Sequence, residues 1–428
     1  MNYQQALDYL HSAPRFKGKA ALERMRRLCG KLGNPQNGLR TVHVAGTNGK
    51  GSTVNMIAAA LYASGYRTGM FISPYVLDFR ERIQVNGRCI SQNELAAIAE
   101  RVRRADEELA REGLHATEFE LVTACGLCYF RQQRCDVAVL EVGLGGRFDA
   151  TNVIDPPEAA VITKIALDHT AILGGTLAQI AFEKCGILKG GYAVCYPSQE
   201  PEALQVIRTQ CTRHRTELHI PDISAAELLY CTLEHTHLRY GGEEWDVPLG
   251  GRHQVDNALT AMETLDILRM RGWRLPARLV RQGISSLHFP ARLERVNGEP
   301  PIYIDGAHNP DGMRSLITAL GSHPFTAVYT AMRDKDYRGA LELLAGRARR
   351  LIVCALSMPR AASAQELAEA AADFGCPVLQ AADIAHALRL AREGLEPEET
   401  IVICGSLYLA GEAHVLLDSA RSGTQERS

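Results

Sequence analysis

One stretch, TVHVAGTNGKGSTVNMIAAALYASG (residues 41–65), does most to limit what this chain can become. It opens with a β-branched apolar run, passes through Gly46, Gly49 and Gly51, and continues with apolar residues at helical spacing. A buried strand that turns through glycines into a helix is a βα unit, and βα units build parallel sheets. The same alternation recurs. YRTGMFIS (66–73), CDVAVLEVG (135–143) and AAVITKIAL (159–167) read as further strands, with helices predicted at 92–112 and 118–134. Parallel strands covered on both faces are the expectation. The mixed charges of ELAAIAERVRRADEELAREG fit a solvated helix face with i,i+4 pairs.

Residues 211–250 change character. Short alternating runs around Gly241-Gly242 predict antiparallel hairpins. Helix returns over 253–272, and HFPARLERVNGEPP (288–301), with its three prolines, suits a hinge. A second alternation follows, with strands predicted at 302–306, 326–332, 350–356, 377–382 and 400–411. The expected division is an N-terminal domain at 1–297 and a smaller α/β domain at 298–428.

Composition closes off other classes. The 428 residues are 46% apolar and 22% charged with a net charge of −2, which excludes a disordered chain or a long coiled coil. That balance offers no global field for nucleic acid or an acidic membrane, so neither is expected as a partner. No apolar run approaches the roughly 18 residues of a membrane span. The first residues carry no signal-peptide pattern. The 12 cysteines are scattered, mostly in apolar runs, as expected of reduced thiols in a cytoplasm. Cys125 and Cys128, the single CxxC, fit core packing, since no second CxxC completes a zinc site.

The chemistry concentrates at predicted strand ends. In Gly46-Thr47-Asn48-Gly49-Lys50-Gly51-Ser52-Thr53, glycines let N–H groups turn toward phosphate oxygens. The helix N-terminus adds partial positive charge, and Lys50 adds a full one. Ser52 or Thr53 can face Mg²⁺. The stretch is not a literal Walker A motif, because Val44 stands where its first Gly belongs and Gly51 separates Lys50 from Ser52. A Gly-rich βα turn without nucleotide is the alternative. Glu141 ends the strand VAVL, where it can serve as a metal ligand or only as a capping carboxylate. His169, after Asp168, can ligate metal or cap a helix. Lys184, beside an apolar turn, reads by itself as a surface lysine. In the second domain, Asp305 and His308 in DGAHNP, the Asp334-Lys335-Asp336 run, and Gly405-Ser406 within the last predicted strand all lie at strand ends. They can line one crevice or serve only as turn chemistry.

Taken together, GTNGKGS, ISP with ERIQVNG, LEVGLGGRFDATN, ALDHT, EKCGI, HQVDNA, FPARLE, DGAHNP, DKD and CGSLYLAGE, in that order, resemble the folylpolyglutamate synthase/dihydrofolate synthase family of the Mur ligase superfamily. The resemblance implies an α/β fold: an N-terminal P-loop-type ATPase domain with a parallel sheet, plus a smaller C-terminal Rossmann-like domain. It implies an ATP-dependent ligase joining L-glutamate to a folate-type carboxylate through an acyl phosphate, with dihydropteroate as a further acceptor if the enzyme is bifunctional. ATP is then a co-substrate, two Mg²⁺ ions are expected, and the chain is expected to be a monomer.

The resemblance also implies roles for residues. Thr47, Asn48, Gly49, Lys50, Gly51, Ser52, Asn257, Arg292 and Asp305 match the ATP site. Ser73, Glu141 and His169 match a magnesium site, joined by Lys184 as a carbamate. Tyr75, Thr117, Phe148, Asp149 and Ala150 match the folate side. His308 and Ser406 match the glutamate site, and Lys50, Lys184, Asp305 and His308 the catalytic set. Two positions depart from the pattern: Tyr75 replaces a common His, and Lys164 a common Ser. The rival readings are a Mur-type ligase acting on a cell-wall precursor, which does not predict SPYVLDFRERIQVNG or GSLYLAGE, and a noncatalytic nucleotide-binding regulator, which need not keep Lys50, Glu141, His169 and Lys184 together.

Overall fold

The structure, a computed structural model, describes residues 1–14, 21–296 and 299–425. Its largest sheet is built from β1 (Thr41–Ala45), β2 (Thr68–Phe71), β3 (Ile83–Val85), β4 (Arg88–Cys89), β5 (Val137–Glu141), β6 (Ala159–Ile162), β7 (Gly191–Cys195) and β8 (Thr216–His219). Their order is β4-β3-β2-β5-β1-β6-β7-β8. From β2 to β8 the pairing is parallel, and β3 and β4 add an antiparallel edge. β1 lies centrally, with Val44 opposite Glu141 on one side and Val161 on the other. Every residue of β1, β5 and β6 is buried, which is why these strands read as unbroken apolar runs. The loops after all three emerge at the same sheet edge.

The helices follow local chemistry. The helix Lys50–Ala63 is buried along most of its length. The helix Ala277–Ser285 lies against it so closely that a Cβ on Gly283 would stand 2.5 Å from the Ala59 carbonyl oxygen. The helix Gln92–Arg111 starts at a Ser91/Glu94 capping box, and its outer face carries the Glu100–Arg104 and Arg103–Glu107 pairs. Cys125 and Cys128 are buried in the helix Glu118–Gln132, and burial pushes both thiols up.

A second sheet is the meander β9 (Glu227–Cys231), β10 (Thr236–Tyr240) and β11 (Glu243–Val247), with Gly241 and Gly242 at φ 61° and 78° in its tight turn. The third contains β12 (Glu294–Val296), β13 (Ile302–Ile304), β14 (Phe325–Tyr329), β15 (Arg350–Cys354), β16 (Val378–Ala381) and β17 (Thr400–Cys404), ordered β12-β13-β17-β14-β15-β16. It is parallel except for β12.

Three expectations need correction. Leu218 and His219 belong not to a hairpin but to β8, which pairs parallel to β7 after the crossover helix Pro201–Arg213. Part of the proline-rich 288–301 segment is the edge strand β12. Gly405-Ser406 does not interrupt a strand: β17 ends at Cys404, and the helix Leu407–Gln425 begins beyond a Ser406 hydroxyl that accepts from Tyr408 N–H at 3.1 Å.

The chain divides into two compact units, Met1–Ala225 with Asp256–Leu287, and Ala226–Val255 with His288–Ser428. The meander thus groups with the second unit. The division expected between 297 and 298 falls outside the described residues.

Candidate active site

In the first unit the loop after β1 is fixed by the loop after β6. Thr47 and Asn48 donate their N–H groups to the Lys164 carbonyl at 2.8 and 3.2 Å. The Thr47 hydroxyl donates to the Ala166 carbonyl at 3.0 Å. The Lys164 contact is made by its main-chain carbonyl. Gly49 is the N-cap of the helix at φ 85°, with no side-chain cap. A Cβ there would lie 2.2 Å from Asn257 Oδ1, so the loop turns tightly against that amide. A Cβ on Gly46 would meet Thr163 Oγ1 at 1.8 Å. The Lys50 ammonium folds back on the Thr47 carbonyl at 3.1 Å. The result is a half-exposed turn with a cation and an uncapped helix N-terminus, an arrangement suited to phosphate.

Glu141, at the end of β5, is 5% exposed and accepts from the Ser73 N–H at 3.1 Å. The structure therefore places Ser73 and Glu141 side by side. His169 follows β6 at the same sheet edge, at φ 50°, where it starts the turn Thr170–Leu173. Carboxylate and hydroxyl oxygens are the donors a hard divalent cation prefers, so this set fits Mg²⁺. Among the described residues no group of three or more His, Cys, Asp or Glu is placed to hold a metal. The expected set has only two residues of those types. Lys184 is not a surface lysine: it is 5% exposed and its ammonium donates to the Gly46 carbonyl at 2.7 Å. It meets the glycine-rich loop after β1 directly.

The loop after β5 is organised by Asp149. Its Oδ2 accepts from Gly143 and Leu144 N–H at 3.1 and 2.9 Å, and its Oδ1 from Thr151 N–H and hydroxyl at 3.0 and 2.5 Å. Burial pushes the carboxyl up, and these bonds oppose the shift. Four donors use the carboxylate's acceptor positions, so Asp149 holds the loop that presents Phe148 and Ala150. His43, inside β1, completes the chain: its Nε2 meets Thr151 Oγ1 at 2.8 Å. Phe148 is exposed, with the Arg147 guanidinium 5.1 Å from its ring centroid. Ala150 is buried in the cluster against which Tyr75 packs, and Tyr75 also meets Phe79 edge-on. Thr117 is buried as the cap of the helix Glu118–Gln132.

In the second unit Asp305 follows β13. It accepts from Leu293 and Ala307 N–H at 2.9 and 2.8 Å. Burial raises its carboxyl, opposed first by the Arg292 charge. The backbone on both sides of Arg292 is left-handed, with Ala291 at φ 55° and Leu293 at φ 51°. Non-glycine residues pay roughly 1–2 kcal/mol for that geometry. His308 Nδ1 lies 2.8 Å from the Gly306 carbonyl, which assigns the proton to Nδ1. Gly306 N–H donates to the Ala291 carbonyl and Gly405 N–H to the Ala307 carbonyl, so the loops carrying Arg292, His308 and Ser406 are tied together. Asp336 caps the helix Tyr337–Ala345 through Gly339 N–H, which is turn chemistry.

His43, Thr151, Glu294 and His414 support these loops; Thr151 and Glu294 lie within LEVGLGGRFDATN and FPARLE, whereas His43 and His414 stand in no site motif.

Known proteins resemble this chain over its full length. The Mur ligase middle domain matches residues 44–265, and the Mur ligase glutamate ligase domain matches 291–407. The folylpolyglutamate synthase of Lacticaseibacillus casei is 37% identical over 99% of this chain and 100% of its own length. The dihydrofolate synthase/folylpolyglutamate synthase of Bacillus subtilis is 35% identical over 96% of this chain and 98% of its own. Mycobacterium tuberculosis folylpolyglutamate synthase complexed with ADP and AMPPCP superposes with a TM-score of 0.87 at 32% identity, covering 97% of this chain and 98% of that one. An FPGS–AMPPCP–folate complex gives 0.85 at 34% identity, covering 97% and 100%. A central parallel sheet with a glycine-turned phosphate loop, a second α/β sheet, and likeness over the full length together mean that this chain belongs to the folylpolyglutamate synthase/dihydrofolate synthase family of Mur ligases.

Proposed function

We propose that the protein is an ATP-dependent carboxylate–amine ligase that joins L-glutamate to a folate-type carboxylate, with dihydropteroate as a second acceptor. The observation that carries this reading is the meeting of Lys184 with the phosphate loop at Gly46, 2.7 Å apart, at the sheet edge where Ser73 and Glu141 also adjoin. A cell-wall ligase would share the phosphate loop, but the likeness along the whole length that favours the folate reading is to proteins named folylpolyglutamate synthase and dihydrofolate synthase.

In this reading Thr47, Asn48, Gly49, Lys50, Gly51, Ser52 and Asn257 hold ATP phosphates, and Arg292 and Asp305 contribute nucleotide contacts from the second unit. Ser73, Glu141, His169 and carbamylated Lys184 would hold two Mg²⁺ ions, which supply charge neutralisation at the phosphates. A carboxylate oxygen of the folate attacks the γ-phosphorus and ADP leaves. The glutamate nitrogen then attacks the acyl carbon, phosphate leaves, and the amine loses its proton. His308 suits the removal of that proton, because a neutral ring protonated on Nδ1 keeps Nε2 basic. Ser406 adjoins the glutamate, while Tyr75, Thr117, Phe148, Asp149 and Ala150 shape the folate side. Asp149 acts there by holding its loop. The proposed division is 1–297 for ATP binding and 298–428 for the glutamate ligase part, although residues 226–255 and 288–296 group with the second unit. The protein works as a monomer in the cytoplasm, without nucleic acid or membrane partners. No helix among the described residues is long and apolar enough to cross a membrane.

The test is a substrate panel. Dihydropteroate and tetrahydrofolate are each offered with ATP and glutamate, and products are read by mass. Addition of a glutamyl unit supports the reading; ATP turnover with neither acceptor extended contradicts it.

A further inference from the structure

Arg292 sits between two strained residues, and each has its N–H held by a different carboxylate. Ala291, at φ 55°, donates to Glu294 Oε2 at 2.9 Å. Leu293, at φ 51°, donates to Asp305 Oδ2 at 2.9 Å. Non-glycine residues stay in this region only where surrounding structure over-determines them. Asp305 is fastened by its position at the end of β13 and by Ala307 N–H. Glu294 is fastened differently. Its Oε2 also meets His414 Nε2 at 2.9 Å, across a sequence separation of 120 residues.

His414 projects from the helix Leu407–Gln425, and its side chain is only 9% exposed against 18% for Glu294. Burial alone pushes the Glu294 carboxyl up, but the bonds from His414 and Ala291 N–H, with the nearby His288, bring it below its ordinary value. Glu294 is thus an acceptor near neutral pH, and His414 Nε2 donates to it. The grip is local to Arg292, whose guanidinium packs over the Phe289 ring, 5.1 Å from the centroid.

We infer that His414 is a positioning residue for nucleotide binding: through Glu294 it holds the left-handed backbone that presents Arg292. The inference rests on the proposed nucleotide contact of Arg292. It assigns to the C-terminal helix a role that neither its sequence nor its distance along the chain suggests.

Calorimetric titration of the full chain with ADP, alongside thermal unfolding, tests it. His414→Ala should weaken ADP binding by about tenfold, as loss of a supporting partner does at other preorganised sites. His414→Gln, whose amide can donate from nearly the same place, should stay within about twofold of wild type. The Michaelis constant for glutamate should not move in either. A His414→Ala/Arg292→Ala double variant should bind ADP no more weakly than Arg292→Ala alone, because both act through one contact. If His414→Ala does not fold, Glu294→Leu, which removes the acceptor for both Ala291 N–H and His414 Nε2, carries the same test. Normal ADP affinity in folded His414→Ala or Glu294→Leu, beside weakened Arg292→Ala, overturns the inference and leaves the Arg292 contact standing. Additive losses in the double variant overturn it also. Normal affinity in Arg292→Ala overturns the nucleotide contact itself.

Discussion

The Lys184 ammonium donates to the main-chain carbonyl of Gly46 at 2.7 Å, and the side chain that reaches there is 5% exposed. A lysine in an eight-residue helix, Leu177–Lys184, is thereby brought to the first residue of the glycine-rich loop after β1. Lys184→Ala should lower turnover by about 10²–10³-fold, the usual size for loss of an electrostatic group at a reacting centre. If Lys184 works as a carbamate, short carboxylic acids at high concentration should restore part of that loss, and Lys184→Arg should stay inactive. Full activity in Lys184→Arg would leave the lysine as a plain phosphate-binding cation.

Gly49 cannot be replaced cheaply. Its φ of 85° disfavours a side chain, and the space a Cβ would fill is taken by Asn257 Oδ1 at 2.2 Å. Gly49→Ala should destabilise the fold by about 1–3 kcal/mol and weaken ADP binding more than its stability loss explains. Urea unfolding and calorimetry on the same sample separate the two effects. Normal ADP affinity in the folded variant would mean the turn does not hold phosphate.

Glu141 and Ser73 are neighbours, and both carry oxygens suited to Mg²⁺. Glu141→Gln keeps the size of the side chain and an acceptor for the Ser73 N–H. It should raise the Mg²⁺ concentration needed for half-maximal activity by about tenfold or more. His169→Ala should move the same quantity in the same direction, with thermal unfolding little changed. An unaltered Mg²⁺ titration in both variants would remove these residues from the metal site.

His43 makes acid stability a readout of the β1 core. Burial, aided by the Lys189 charge, pushes its imidazole down to about 3, so it stays neutral in the fold. The unfolded chain titrates near 6.5 and binds more protons between that value and the folded one. Stability from this residue is therefore complete above about pH 6.5 and lost as pH falls, by roughly 1.4 kcal/mol per unit. Between pH 7 and 5 wild type should lose about 2 kcal/mol more than His43→Gln in urea unfolding. Parallel losses would show that His43 does not titrate this way.

The parts of the fold legible in the sequence are those where burial is continuous or the turn chemistry explicit. β1, β5 and β6 are buried at every position, and Gly241-Gly242 marks its hairpin. β8 was not legible as a parallel strand, because four residues cannot distinguish a crossover partner from a hairpin arm. The helix at Leu407 was hidden in the run IVICGSLYLAG, which has no polar face to reveal its period. Within the candidate site, Glu141 and Asp305 stand at strand ends and Lys50 opens the helix after β1, where the βα pattern alone pointed. The supports did not. His43 finds Thr151 across 108 residues, and Glu294 finds His414 across 120. No local pattern encodes such pairs.

The proposed mechanism depends above all on activation of the folate carboxylate as an acyl phosphate before glutamate attacks. Turnover of a folate substrate whose carboxylate carries heavy oxygen, with unlabelled ATP and glutamate, probes that step. An acyl phosphate requires one labelled oxygen to leave in inorganic phosphate for every amide formed, while ADP stays unlabelled. Amide formation with the label absent from phosphate, or carried instead by AMP, would contradict it.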